Sequence, residues 1–176
     1  MRAELRPSQV APGAVLELEG RQRRVIGSLH FVMDGTQWRE HCVQTSPGPK
    51  EWLSIRPRGG VTVVHWTPRY DLFGEPDPAG VTMDGSSWTL DSSGHATYTA
   101  TGDTGTGPSG SCDFVEYVED VEAVGAVGTG AADGSERVGR LLVFESFDGG
   151  VWEVSIGRRL APGAVRGYRG SARTSA

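Results

Sequence analysis

The tetrapeptide Ser46-Pro47-Gly48-Pro49 is a segment that no helix can pass through. Proline lacks an amide hydrogen, and it pushes the residue before it into an extended conformation. Strand-like runs flank it: Trp38-Arg39-Glu40-His41-Cys42-Val43-Gln44 before, and Glu51-Trp52-Leu53-Ser54-Ile55 after. The stretch from Trp38 to Ile55 therefore reads as a β-hairpin. A diluted copy follows, with Phe114-Val115-Glu116-Tyr117-Val118 standing for the first strand and Leu141 to Phe147 for the second.

The duplication extends outward from the hairpin. Pro12-Gly13-Ala14-Val15 is mirrored by Pro78-Ala79-Gly80-Val81, and Leu16-Glu17-Leu18-Glu19-Gly20 by Val81-Thr82-Met83-Asp84-Gly85. Ala11-Pro12-Gly13-Ala14-Val15 returns unchanged as residues 161–165. Turns are expected at Glu19-Gly20, Asp34-Gly35, Gly59-Gly60 and Asp148-Gly149, because such pairs supply positive φ. No sustained 3.6-residue apolar period is present. With 26 Gly and 10 Pro in 176 residues, the composition suits many short strands.

The expected fold is all-β: two tandem antiparallel β-meander repeats, packed as a sandwich or as a pair of small curved sheets or barrels. The boundaries read as an N-terminal arm over 1–10, a first repeat over 11–67, a Pro/Gly linker over 68–79, a second repeat over 80–168 with Gly-rich loop insertions, and a flexible tail over 169–176. Val25, Phe31, Trp52, Tyr98, Trp152, Val154 and Ile156 are the expected core, since aromatic and β-branched side chains at alternate positions share one face.

The formal net charge is −5, which gives no electrostatic attraction to nucleic acid or to an anionic membrane. Met1 to Pro7 lacks the apolar segment of a signal peptide, and no apolar run has the length of a membrane span. The chain reads as cytoplasmic, without membrane insertion. Cys42 and Cys112 are its only cysteines, too few for a disulfide scaffold.

Several chemistries find no support in the residues. His30, His41, His65 and His95 form no close pair of ligands, and His41 and Cys42 point to opposite faces of a strand, so no metal is expected. Neither cysteine lies in a nucleophile signature, and Cys42 reads as a small buried hydrophobe. Asp103-Thr104-Gly105 looks like an aspartic-protease triplet, but it has no second copy to share a proton. The Gly-rich segments lack Gly-Lys-Ser/Thr and cradle no phosphate. Catalytic residues and cofactors are expected to be absent. Asp113, Glu116, Glu119, Asp120 and Glu122 form an acidic cluster, and Arg158, Arg159, Arg166, Arg169 and Arg173 a basic end, both read as solvated faces.

The order of these motifs carries a resemblance. Trp-x-Glu is followed by Glu-Trp-Leu-Ser, the Phe-x-Glu-Tyr strand, Phe144-Glu145-Ser146-Phe147, and Trp152-Glu153-Val154-Ser155-Ile156-Gly157-Arg158. The chain resembles the bacterial domain-of-unknown-function family 4178, of actinobacterial type, from about Pro12 to Tyr168. The resemblance implies an all-β intracellular protein. It also implies a gene neighbourhood of membrane-associated stress proteins and polyamine-synthase-like proteins, with no established activity.

Three functional readings follow. The leading one is a non-catalytic interaction or adaptor module with protein partners, membrane-associated ones included, in a bacterial membrane-stress system. The alternative is a small-ligand binder. Glu40 and Glu116 occupy equivalent positions in the two repeats. With Trp38, Trp52, Trp66, Trp88 and Trp152 they would line a pocket suited to a cation such as a polyamine. An enzyme of unknown type ranks third.

Overall fold

The computed structural model describes residues 4–45, 48–56, 60–120, 139–161 and 163–170. Among the described residues, twelve strands account for the regular structure, apart from one 3-10 turn at Pro7–Gln9. They are β1 (Glu4–Leu5), β2 (Val15–Leu18), β3 (Arg21–Met33), β4 (Thr36–Gln44), β5 (Lys50–Arg56) and β6 (Thr62–Pro68). Then come β7 (Val81–Met83), β8 (Ser86–Gly102), β9 (Ser109–Glu119), β10 (Leu141–Phe147), β11 (Glu153–Leu160) and β12 (Val165–Tyr168).

Eight of them close into one antiparallel barrel. The order β3-β4-β5-β6-β11-β10-β9-β8 returns to its start because β8 also pairs with β3, Phe31 opposite Tyr98. The strands thus form one closed barrel, neither a sandwich nor two separate sheets. Closure leaves none of the eight barrel strands as a free edge over the paired length.

Tight two-residue turns set the strand order. Glu19-Gly20, Asp34-Gly35, Asp84-Gly85 and Asp148-Gly149 all carry positive φ at both residues, between 48° and 78°. That geometry matches the twist of an antiparallel pair.

The two longest strands serve both the barrel and its flanks. β3 slips register between Val25 and Gly27, and β8 between Leu90 and Ser92. At such a bulge the alternation of faces shifts by one residue. The start of β3 therefore leaves the barrel wall to pair with β2, which continues to β12 and β1. The start of β8 pairs with β7.

Three apolar clusters result. Inside the barrel, Phe31 stacks on Trp38 with ring centroids 5.0 Å apart, and Phe114 meets Trp38 edge-on at 5.8 Å. Tyr98 and Phe147 extend the aromatic packing, their centroids 5.5 Å apart. On one outer face, Leu16, Leu18, Val25, Val43 and Leu53 are buried behind β2. On the other, Trp88, Tyr117, Leu142, Phe144 and Val154 are buried together. Of the expected core residues, Val25, Phe31, Tyr98 and Val154 are buried, while Trp52, Trp152 and Ile156 are half-buried.

The segment between β6 and β7 is laid against the barrel. The Asp77 amide donates to the Tyr117 hydroxyl at 2.9 Å, and that hydroxyl donates to the Asp77 carbonyl at 3.0 Å. The loop after β8 turns back on β3, with the Asp103 amide donating to the Ile26 carbonyl at 2.9 Å and Thr104 buried. Residues 121–138 and 171–176, which hold most of the second Gly-rich insertion, Glu122 and Arg173, lie outside the described residues.

Candidate functional site

The barrel is filled at one end and open at the other. An eight-stranded barrel is just wide enough for its side chains to fill it or to leave room for one small ligand. Phe31, Trp38 and Phe114 fill the closed half. The open half holds a cavity of about 810 Å³.

Alternation along the strands decides what faces that cavity. On β4, Trp38, Glu40 and Cys42 point inward while His41 and Val43 point out. On β5 the inward set is Trp52, Ser54 and Arg56, and on β9 it includes Phe114 and Glu116. On β10, Val143, Glu145 and Phe147 point inward, and Leu142 and Phe144 outward. Three carboxylates and one guanidinium therefore share an interior otherwise built mainly from aromatic and aliphatic side chains.

The guanidinium is largely committed. Arg56 Nη1 donates to Glu116 Oε2 at 2.8 Å, and Arg56 Nη2 donates to Glu116 Oε1. The Ser92 hydroxyl adds a donation to Glu116 at 3.3 Å. Burial opposes the charge on Arg56, but the Glu116 hydrogen bond and the fields of Glu116, Glu40 and Glu145 outweigh it, holding the guanidinium above its usual range.

Glu40 is less well satisfied. It is 5% exposed. Its Oε1 accepts from Trp38 Nε1 at 3.2 Å and lies 3.9 Å from Arg56 Nη2, too long for a hydrogen bond. No described residue donates to its Oε2, and the side chain lines the cavity. Burial raises its pKa, against the pull of Arg56 and the Trp38 bond.

Glu145 has neither a hydrogen bond nor an ion pair among the described residues. It is half-buried, and its side chain lines the cavity. Burial first, then the charges of Glu40 and Glu116, hold its pKa well above the usual carboxylate range. Its cross-strand partner on β11 is Glu153, so two acids stand directly opposite, an arrangement that costs stability unless a cation or a proton intervenes.

Above these acids the wall is apolar. Leu29, Trp52, Phe147 and Trp152 line the cavity, and Ser155 on β11 points into it beside Val143 and Glu145. Tyr70, Phe73 and Val151 stand exposed at the rim, at 78%, 83% and 82%.

The residues singled out from sequence divide accordingly. Trp38, Glu40, Trp52, Trp66 and Glu116 are brought together inside the barrel, and Trp152 lies at its mouth. Trp66 donates its Nε1 proton to Ser54 at 3.0 Å. Trp88 stands apart in the second outer cluster, donating to the Met83 carbonyl at 2.8 Å under the Arg140 guanidinium. Arg56, Glu145 and Ser155 were not anticipated. Their signal was alternation: Arg56 follows Trp52 and Ser54 on one face, and Glu145 stands between Val143 and Phe147.

The acidic run over 113–120 is not one face. Glu116 points inward to Arg56, Asp113 meets His95 at 2.7 Å, and Glu119 pairs with Arg140 at 2.6 Å. The basic end is likewise dispersed, with Arg158 gripping Glu19 across to the β2–β3 turn. Asp103 is an ion-pair partner of Lys50 at 2.9 Å. Burial pushes the Cys42 thiol up to about 11, and raises that of Cys112, so neither is an activated nucleophile. No cluster of three metal-ligating side chains occurs among the described residues, and none of their helices is long and apolar enough to cross a membrane.

Comparison with known proteins gives a family but no activity. A family model described as "Domain of unknown function (DUF4178)" matches residues 11–127. Uncharacterized proteins of Mycobacterium tuberculosis (strain ATCC 25618 / H37Rv) and Mycobacterium bovis are each 31% identical over 165 residues. Those matches cover 92% of this chain and 73% of each relative. No solved structure matches it.

Proposed function

Starting from the premise that the chain belongs to the DUF4178 family of bacterial proteins without an assigned activity, we propose that it is a non-catalytic binding protein whose barrel mouth takes a small organic cation. One observation carries this reading: Glu145 and the Oε2 of Glu40 face an aromatic-lined cavity without a partner among the described residues. Carboxylates held partly or wholly out of water without a partner are costly, and a cation entering the cavity satisfies them. The aromatic walls add attraction for positive charge and cover for an apolar body.

The reading of the chain as two tandem repeats belongs to this proposal. It is supported by the barrel order, in which β3-β4-β5-β6 and β8-β9-β10-β11 meet antiparallel at both seams. Glu40 on β4 and Glu116 on β9 are then equivalent positions, of which Arg56 occupies one and leaves the other open.

The test is thermal unfolding of the full chain against organic cations and their neutral isosteres at millimolar concentration. Cations alone should raise the midpoint, as any ligand selective for the folded state does. An equal rise with the neutral compounds, or none with either, sinks the proposal.

The apolar rim favours a second reading, as an adaptor for a protein partner, membrane-associated or not. Tyr70, Phe73 and Val151 are large, exposed and grouped around one opening, as docking residues are. Capture from the native bacterium with wild type and with a Tyr70→Ser/Phe73→Ser variant tests it. A partner retained equally by both would remove the rim from that role.

A further inference from the structure

We propose that the charged group admitted to the cavity is a primary ammonium on an apolar chain, seated head-first among Glu40, Glu145 and Ser155. The inference rests on the cation-binding reading above and specifies its ligand. Three acceptor groups line the cavity from three strands, Glu40 from β4, Glu145 from β10 and Ser155 from β11, with the Arg56 guanidinium behind them, its Nε without a partner among the described residues. Ser155 stands opposite Val143, one diagonal step from Glu145, and no described residue bonds its hydroxyl. A primary ammonium carries three diverging N–H donors on one small centre, which matches three acceptors from three sides. A quaternary ammonium has no donor and would leave all three groups unbonded in a buried site. A planar guanidinium aims its donors in a fixed fork rather than at three separate walls.

The charges around the floor define how many cations it accepts. Glu40, Glu116 and Glu145 face Arg56, and the Arg56–Glu116 clasp leaves two carboxylates for the occupant. Beyond the floor, the next wall residues are Leu29, Trp52 and Phe147, which suit methylene groups. At the rim stand Lys50 and Arg69, with Asp148 and Glu153. Lys50 is paired with Asp103, Arg69 with Asp71 and Asp84, and Asp148 with Tyr98 and Ser111, so only Glu153 is free there among the described residues. A polyamine would set its second charge beside Leu29, Trp52 and Phe147, walls that offer no hydrogen-bond acceptor among the described side chains. A single ammonium with an apolar chain meets complementary surface along its whole length.

Isothermal titration of the full chain at low salt and pH 7.5 tests this with four probes of similar size: n-hexylamine, hexyltrimethylammonium, spermidine and hexanol. n-Hexylamine, a cation at this pH, should bind at least tenfold more tightly than each of the others. Glu145→Gln should weaken it at least tenfold, and Ser155→Ala severalfold, with both variants checked for a native near-ultraviolet spectrum. Tighter or equal binding of spermidine or of the trimethyl compound would overturn the primary-ammonium assignment and leave the cation-binding reading standing. Unchanged affinity in Glu145→Gln would overturn the assignment as well. Hexanol binding as tightly as the amine, or no heat from any probe at millimolar concentration, would overturn both.

Discussion

Arg56 clasps Glu116 with both of its terminal nitrogens, and reaches Glu40 only at 3.9 Å. This asymmetry decides the electrostatics of the barrel interior. One carboxylate is neutralised by the protein, while a second, on the neighbouring strand of the wall to β5, is left to other company. The clasp crosses from β5 to β9, which are not hydrogen-bonded neighbours, so it also spans the lumen.

Removing the cation should therefore expose how tightly the interior is balanced. Arg56→Met keeps an apolar stem but strands Glu116, which is 5% exposed, beside Glu40 and Glu145. Breaking one partner of a buried ion pair costs about 3–5 kcal/mol. Urea denaturation at pH 7 should show a loss of that order, and adding Glu116→Gln to the same chain should restore part of it. A loss below about 1 kcal/mol would mean that water reaches the pair and screens it, as it does surface salt bridges.

A second prediction concerns the seam between β6 and β11. Gly157 lies opposite Trp66, and a Cβ added at Gly157 would fall 2.3 Å from Trp66 Cε3. The ring cannot simply slide, because its Nε1 is bonded to Ser54 and its flanks pack in the barrel core. Gly157→Ala should destabilise by about 1–3 kcal/mol, the usual cost of overpacking a filled core, and should shift the tryptophan emission. An unchanged urea midpoint would show that the Trp66 ring has another place to go.

The hairpins were legible because each rests on local chemistry. The Glu-Gly and Asp-Gly pairs that announce turns adopt positive φ at both residues, and the strands between them alternate as expected. Closure into one barrel was not legible, since alternation says which face is buried but not whether the sheet returns to its own first strand. Trp88 illustrates a second limit. The bulge between Leu90 and Ser92 reverses the faces of β8, so Trp88 points away from the cavity while Tyr98, on the same strand, points into the barrel. Glu145 illustrates a third. β10 is apolar on both faces, with Leu142 and Phe144 on one and Val143 and Phe147 on the other, so alternation put Glu145 with Val143 and Phe147 but could not say which face was interior.

The pH dependence of stability should carry the mark of His41. Its ring is fully buried, its Nδ1 is bonded to the Ser28 hydroxyl at 2.8 Å, and its Nε2 has no partner among the described residues. Burial, with a smaller contribution from Arg39, lowers its pKa from 6.5 to about 4. Because the folded value is depressed, the unfolded chain takes up the proton first as pH falls. The stability His41 contributes is present above about pH 6.5 and is lost as pH falls toward about 4, by up to about 3 kcal/mol. His65 is lowered too, again chiefly by burial, and adds to the same slope. Urea midpoints at pH 7 and pH 5 should differ for the wild type and differ less for His41→Leu. Equal slopes in the two proteins would show that His41 is already charged, or already solvated, in the native state.

Glu145 should contribute the opposite sign. Its folded pKa is raised, by burial first and then by Glu40 and Glu116. Its contribution is therefore fully present below the unfolded carboxylate value and is lost as pH rises through the folded one. In the empty protein at pH 8, the site must either hold a proton that the unfolded chain would release or bury a charge opposite Glu153. Glu145→Gln keeps the size and the polarity and removes both penalties. The variant should have a higher urea midpoint than wild type at pH 8 and nearly the same midpoint at pH 4. A residue that costs stability in the absence of ligand is what a binding site retains, so the same substitution that stabilises the empty barrel should weaken its hold on an ammonium. A variant less stable than wild type at pH 8 would show that Glu145 is already neutralised within the protein, and would remove the reason for a cation to enter.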